Sequence, residues 1–154
     1  MTLPSIQSPD AAPVTQDMAP TSIQRTTTWL GNLNTLVGVL GFFGPAVTGN
    51  DDCIINIRPG KLLGLATVNW LHSLMHLPFG LYGRQARHST RQSRIHMYVT
   101  ATGFGMMSCM ALRKLRGRSG YVMLHGMAID RAGTGVHLAW TGIALAALHK
   151  ERRS

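Results

Sequence analysis

The stretch LLGLATVNWLHSLMHLPFGLYGR, Leu62 to Arg84, decides how the rest of the chain is read. Between Leu62 and Tyr82 it contains no Asp, Glu, Lys or Arg. As a single helix it would be long enough to cross a hydrocarbon core, for which about 20 residues suffice. Inside it stand His72 and His76, one helical turn apart. An ionisable side chain is costly at that depth, so both histidines are candidates for function.

Three further apolar stretches without Asp, Glu, Lys or Arg flank this one: 29–49, 96–112 and 133–148. The pattern predicts an all-α protein, a four-transmembrane-helix bundle over residues 28–149 with spans near 29–49, 62–82, 96–112 and 133–148. A polar, Pro-rich N-terminal tail (1–27), disordered or ordered against a partner, precedes it. A basic C-terminal tail (150–154) completes the chain. A soluble four-helix protein is the alternative, but its helices should each show a polar face, and LNTLVGVLGFFGPAV has almost none.

Composition points the same way. Hydrophobic residues make up 45% and charged residues only 14%, against roughly 25% charged in an ordinary globular domain. The net charge of +9 sits in short clusters between the apolar runs, where basic residues meet anionic lipid headgroups, so membrane lipids are the expected partners and nucleic acid is not. Four spans would place both termini on one side, with eight basic residues against seven opposite, a weak lean towards cytoplasmic termini. The first residues lack the basic start and apolar stretch of a secretory signal. Two cysteines without a CxxC pattern indicate no metal framework. A Cys53–Cys109 disulfide is open only if the face opposite the termini is oxidising. The segment Ser119–Ala128 is more apolar than a solvated loop and is expected to lie at an interface.

Gly31, Gly38, Gly41 and Gly44 recur along the first span and Gly142 lies in the fourth. Small residues let helix backbones approach closely, so Gly38, Gly41, Gly44 and Gly142 are candidates for helix packing or for docking a partner. Pro45 and Pro78 are expected to kink or end their helices.

Asn69, His72 and His76, spaced i, i+3 and i+7, would form one polar stripe, and His137 lies near the start of the fourth span. Two roles are open. The four residues cross-link helices by hydrogen bonds, or neutral imidazole ligates a haem iron or a chlorophyll magnesium. A helix beginning at Leu62 would bury His72 about 15 Å deep and His137 only about 6 Å, which disfavours a bis-histidine haem and leaves a singly ligated pigment.

The motifs LVGVLGF (36–42), LLGLATVNWLHSLMHLPFGLYG (62–83) and VHLAWTGIALAAL (136–148) resemble a family of small four-helix membrane proteins, common in cyanobacteria and actinobacteria, filed as domain of unknown function 4383. The N-x-x-H-x-x-x-H of Asn69, His72 and His76 and the late His137 carry the likeness, which covers Leu30 to Leu148. The family usually places an acidic residue one turn before the late histidine; here Gly133 stands there and Asp130 is the nearest acid. The resemblance implies the fold and no activity. It suggests an integral membrane location in a bacterial plasma membrane or a cyanobacterial thylakoid.

No carboxylate lies in the apolar stretches, and no Ser/His/Asp, Cys/His, phosphate-loop or HExxH arrangement is present. The expected role is therefore a non-catalytic accessory subunit of a larger membrane complex, a photosynthetic one among the candidates, with His72, His76, His137 and Asn69 available to a chlorophyll or haem b. A stand-alone haem-b electron-transfer or sensory protein is the alternative.

Overall fold

A computed structural model of the chain describes residues 19–49 and 54–153. Four α-helices are found among them: α1 (Ser22–Phe42), α2 (Trp70–Ala86), α3 (Thr90–Leu115) and α4 (Arg131–Glu151). Each begins at a residue whose side chain accepts a backbone N–H from the first turn: Thr21, Asn69, Ser89 and Asp130. These are the residue types that satisfy the orphan donors of a helix start.

The all-α expectation is corrected by two small antiparallel sheets. Strands β1 (Val47–Thr48), β2 (Gly60–Leu62) and β3 (Ala66–Val68) form one, and β4 (Tyr121–Leu124) with β5 (Met127–Asp130) forms the other. The expected helix from Leu62 therefore opens with a turn and a strand. Leu63 and Gly64 take positive φ values of 50° and 73°, which turn the chain after β2, and β-branched Thr67 and Val68 suit the returning strand. Asn69 then caps α2, so it precedes the helix and is not part of a helical stripe. The expected interfacial segment at Ser119–Ala128 is mostly the second hairpin, closed by His125 and Gly126 at φ 49° and 83°, as a two-residue primed turn requires.

The transmembrane expectation is corrected as well: no helix among the described residues is long and apolar enough to cross a membrane. Freedom from charge is not the same as high hydropathy. α2 has only 17 residues and includes two histidines, a serine and a proline. α1 opens with SIQRTTT, α3 with TRQSR and α4 with RAGTG, and glycine, threonine and other small or polar residues dilute the remaining turns. The integral membrane location, in plasma membrane or thylakoid, and the sidedness of the termini rested on those spans and fall with them.

The architecture repeats. α1, the three-stranded sheet with its β2–β3 hairpin, and α2 form one half; α3, the β4–β5 hairpin and α4 form the other. Within each half the two helices pack closely. α1 and α2 meet backbone to backbone: a Cβ on Gly31 would lie 2.9 Å from the carbonyl carbon of Gly83, and one on Gly80 would strike the backbone of Thr35. Gly38 and Gly41 face Leu77 and Ser73 of α2, so these glycines serve the packing of this chain. Gly44 sits in a 3-10 turn at φ +58° and Gly142 on α4, both with open space where a side chain would be. Pro45 lies in that same turn after α1, whereas α2 runs through Pro78 to Ala86. Between the halves lies a core of Ile23, Leu30, Met97, Phe104, Trp140, Ala144 and Leu148. Cys53 lies outside the described residues, and Cys109 is an exposed free thiol.

Two glycines with the same helical setting should respond in opposite directions. Gly80→Ala should destabilise by about 1–3 kcal/mol, because Thr35 backbone must move to admit the methyl group. Gly142→Ala meets nothing and should stabilise by up to about 1 kcal/mol through helix propensity. Urea unfolding of both variants checks the pair, and equal effects would mean that α1 and α2 are not in backbone contact.

Candidate functional site

His72 is the third residue of α2, His76 lies one turn further on, and His137 is in the second turn of α4. All three are buried, and one ring nitrogen of each lies within 4.8 Å of the others. The ring centroids form a near-equilateral triangle: 5.1 Å from His72 to His76, 5.4 Å from His72 to His137 and 5.6 Å from His76 to His137. The depth mismatch expected between His72 and His137 does not exist, because α2 starts at Trp70 and not at Leu62.

Hydrogen bonds orient two of the rings. His72 Nδ1 lies 2.6 Å from the carbonyl oxygen of Ala128, which can only accept, so Nδ1 carries the proton and Nε2 presents a bare lone pair. His76 Nδ1 lies 2.9 Å from Oδ1 of Asn34, whose Nδ2 donates to Leu30 O; the amide oxygen therefore accepts from His76, and again Nε2 is left free. His137 Nε2 stands 3.4 Å from His72 Nε2, and its Nδ1 has no hydrogen-bond partner among the described residues. Phe104 and Trp140 close the side of the cluster, with Phe104 4.8 Å from His137 and Trp140 5.3 Å from His76.

The starts of α2 and α4 are braced against each other. Oδ1 of Asn69 accepts from His72 N and from Ala128 N on β5, while its Nδ2 donates to Gly126 O. In return, Oδ2 of Asp130 accepts from both the backbone and the hydroxyl of Thr67 on β3, and its Oδ1 caps α4 at Gly133. Lys61 adds an ion pair at 3.6 Å. Asn69, expected as part of a polar stripe with His72 and His76, instead secures the strand whose carbonyl orients His72. Gly133, where the family's acidic residue is expected, packs against Asp130 and Ile129.

Burial lowers the pKa of all three histidines. For His72 the Ala128 carbonyl and Asp130 offset this in part. His76 is pushed well below 6.5, first by burial and then by its two histidine neighbours. His137 falls to about 3 through burial and the proximity of His72. Burial alone would raise Asp130, but the bonds from Gly133 and Thr67 and the charge of Lys61 outweigh it and hold the carboxylate ionised.

Two apolar cavities flank the cluster. One of about 260 Å³ is bordered by the three histidines with Met75, Phe79, Gly103, Phe104, Met106, Met107 and Met127. The other, about 190 Å³, lies towards the first hairpin and Trp140. Sequence reasoning found the histidines but missed Asn34, Phe104, Trp140 and the methionines. Asn34 left a trace, as one of two carboxamides, with Asn32, in a largely apolar run.

Residues 24–149 match the family model described as Domain of unknown function (DUF4383). The chain belongs to that family. No curated protein and no solved structure matches it significantly. The family description names no activity, so the expected links to photosynthesis and to pigment find no support in it.

Three neutral imidazoles make the fold sensitive to acid in a defined window. The unfolded chain binds protons on these histidines below about pH 6.5, whereas the folded protein resists until far lower pH, about 3 for His137. Stability of the metal-free protein should therefore be flat above pH 7 and fall steadily from pH 6.5 towards pH 4. The urea midpoint measured across that range checks this; a constant midpoint would mean the cluster is open to water.

Proposed function

We propose that this protein binds a single transition-metal ion on His72, His76 and His137. The observation that carries the reading is the convergence of three buried, uncharged imidazoles on one point, with the Nδ1 atoms of two of them already committed to Ala128 and Asn34. Metal-ligating histidines characteristically donate their second nitrogen to a carbonyl or amide, which fixes the tautomer and orients the ring. The spacing also suits an ion. With metal–nitrogen bonds of about 2.0–2.1 Å, ligand atoms in a tetrahedral site stand about 3.4 Å apart. The His72–His137 pair has that separation of 3.4 Å. Closing the outermost separation takes on the order of 0.7 Å of movement from each ring.

The same geometry favours a bare ion over a macrocycle held between two of the histidines. A porphyrin or chlorin held between His72 and His137 would pass through the midplane of that pair. The ring of His76, almost equidistant from both, stands in that plane. Phe104, 4.8 Å from His137, crowds the same space. A second reading, a subunit docked on other polypeptides, is favoured by exposed apolar side chains on α1, among them Trp29 at 51% and Leu36 at 52% exposure. A bound metal is compatible with such a place in an assembly.

Titration with cobalt(II), whose absorption bands report its ligand field, should show one equivalent bound. His137→Ala should abolish the bands, and Asn34→Leu should weaken binding by about 10–100-fold by releasing the His76 ring. His149→Ala, an exposed histidine on α4, should change nothing. Cobalt bound equally by the His137→Ala variant would overturn the reading.

A further inference from the structure

The identity of the ion is set by the surroundings of the three nitrogens. Four of the nine methionines border the 260 Å³ cavity that ends on the histidines, and the remaining wall is phenylalanine and glycine. Among the described residues no carboxylate lines it, and Asp130 is bonded to Thr67, Gly133 and Lys61. An ion seated there is ligated by neutral groups alone in largely apolar surroundings, with Asp130 acting on it only from beyond His72's ring nitrogens. The solvation lost on burying an ion grows with the square of its charge, so a monovalent ion loses about a quarter of what a divalent one loses. Thioethers suit soft ions such as Cu(I), and imidazole suits copper as well as zinc, so the lower desolvation of the monovalent ion is what tips the site towards Cu(I).

The methionines are also graded in depth. Met75 and Met106 are exposed, at 43% and 61%, Met107 and Met127 are half-buried, and the histidines beyond them are buried. A soft cation can pass from thioethers at the surface to imidazoles in the interior without meeting a charged group. We infer that the tri-histidine site takes Cu(I), and that Met75, Met106, Met107 and Met127 form the vestibule through which the ion enters. This rests on the metal-binding reading above and adds the ion and its route.

The test is anaerobic competition for Cu(I) against bicinchoninate, beside competition for Zn(II) against a zinc-binding dye. One equivalent of Cu(I) should bind at least about 100-fold more tightly than Zn(II), in keeping with the smaller solvation loss of a monovalent ion among neutral ligands. His76→Leu should lose Cu(I) binding. The double variant Met75→Leu, Met106→Leu conserves side-chain volume and should fold as the parent does. Its transfer of Cu(I) from bicinchoninate should be about tenfold slower, while its Zn(II) transfer rate stays the same. Binding of Zn(II) as tight as Cu(I) would overturn the copper assignment and leave the metal site standing. Binding of neither metal would overturn both. Tight Cu(I) binding with unchanged transfer in the double variant would remove the vestibule.

Discussion

The structure depends on a reciprocal brace between two helix starts. Asn69 and Asp130 each cap their own helix and, with the same side chain, hold a strand of the opposite hairpin. One carboxamide and one carboxylate thus satisfy backbone donors that would otherwise be orphaned in the interior, where each such group costs about 1–3 kcal/mol. The brace brings α2 and α4 in at one level. It also presents the Ala128 carbonyl to His72, so the links that join the halves set the tautomer of a candidate ligand.

With the helix starts held together, the glycines decide how closely the first half can close. Gly31, Gly80 and Gly83 remove side chains where α1 meets α2. Asn34 of α1 is thereby within reach of His76 of α2, and His96 of α3 reaches the Phe79 carbonyl. The aromatic wall of Phe104 and Trp140 belongs to the other half. The cluster consequently draws on all four helices, and no half could assemble it alone. Burying three imidazoles in such a setting favours their neutral forms, which are the forms that ligate metals.

Much of the helical content was legible in the sequence. Four apolar runs marked four helices, and His72 and His76 were readable as one face because helix periodicity is a property of neighbours three and four apart. The caps Thr21, Asn69, Ser89 and Asp130 were also written there as the residue types that start helices. They went unread where apolar residues ran through them: Leu62–Val68 merged with α2 because its leucines and valine continue the apolar run, although Gly64 and the β-branched pair marked a turn and a strand.

The chain alone determined the family, that there are four helices, and that His72 and His76 share one while His137 lies on another. Tertiary structure decided the rest, because strands and metal-type clusters are made by residues distant in sequence. Thr67 pairs with Asp130, 63 residues away, and His72 meets His137 at a separation of 65. No local pattern encodes such meetings. They arise from the packing of the two halves, which turned an expected polar stripe on one helix into a pocket shared by four.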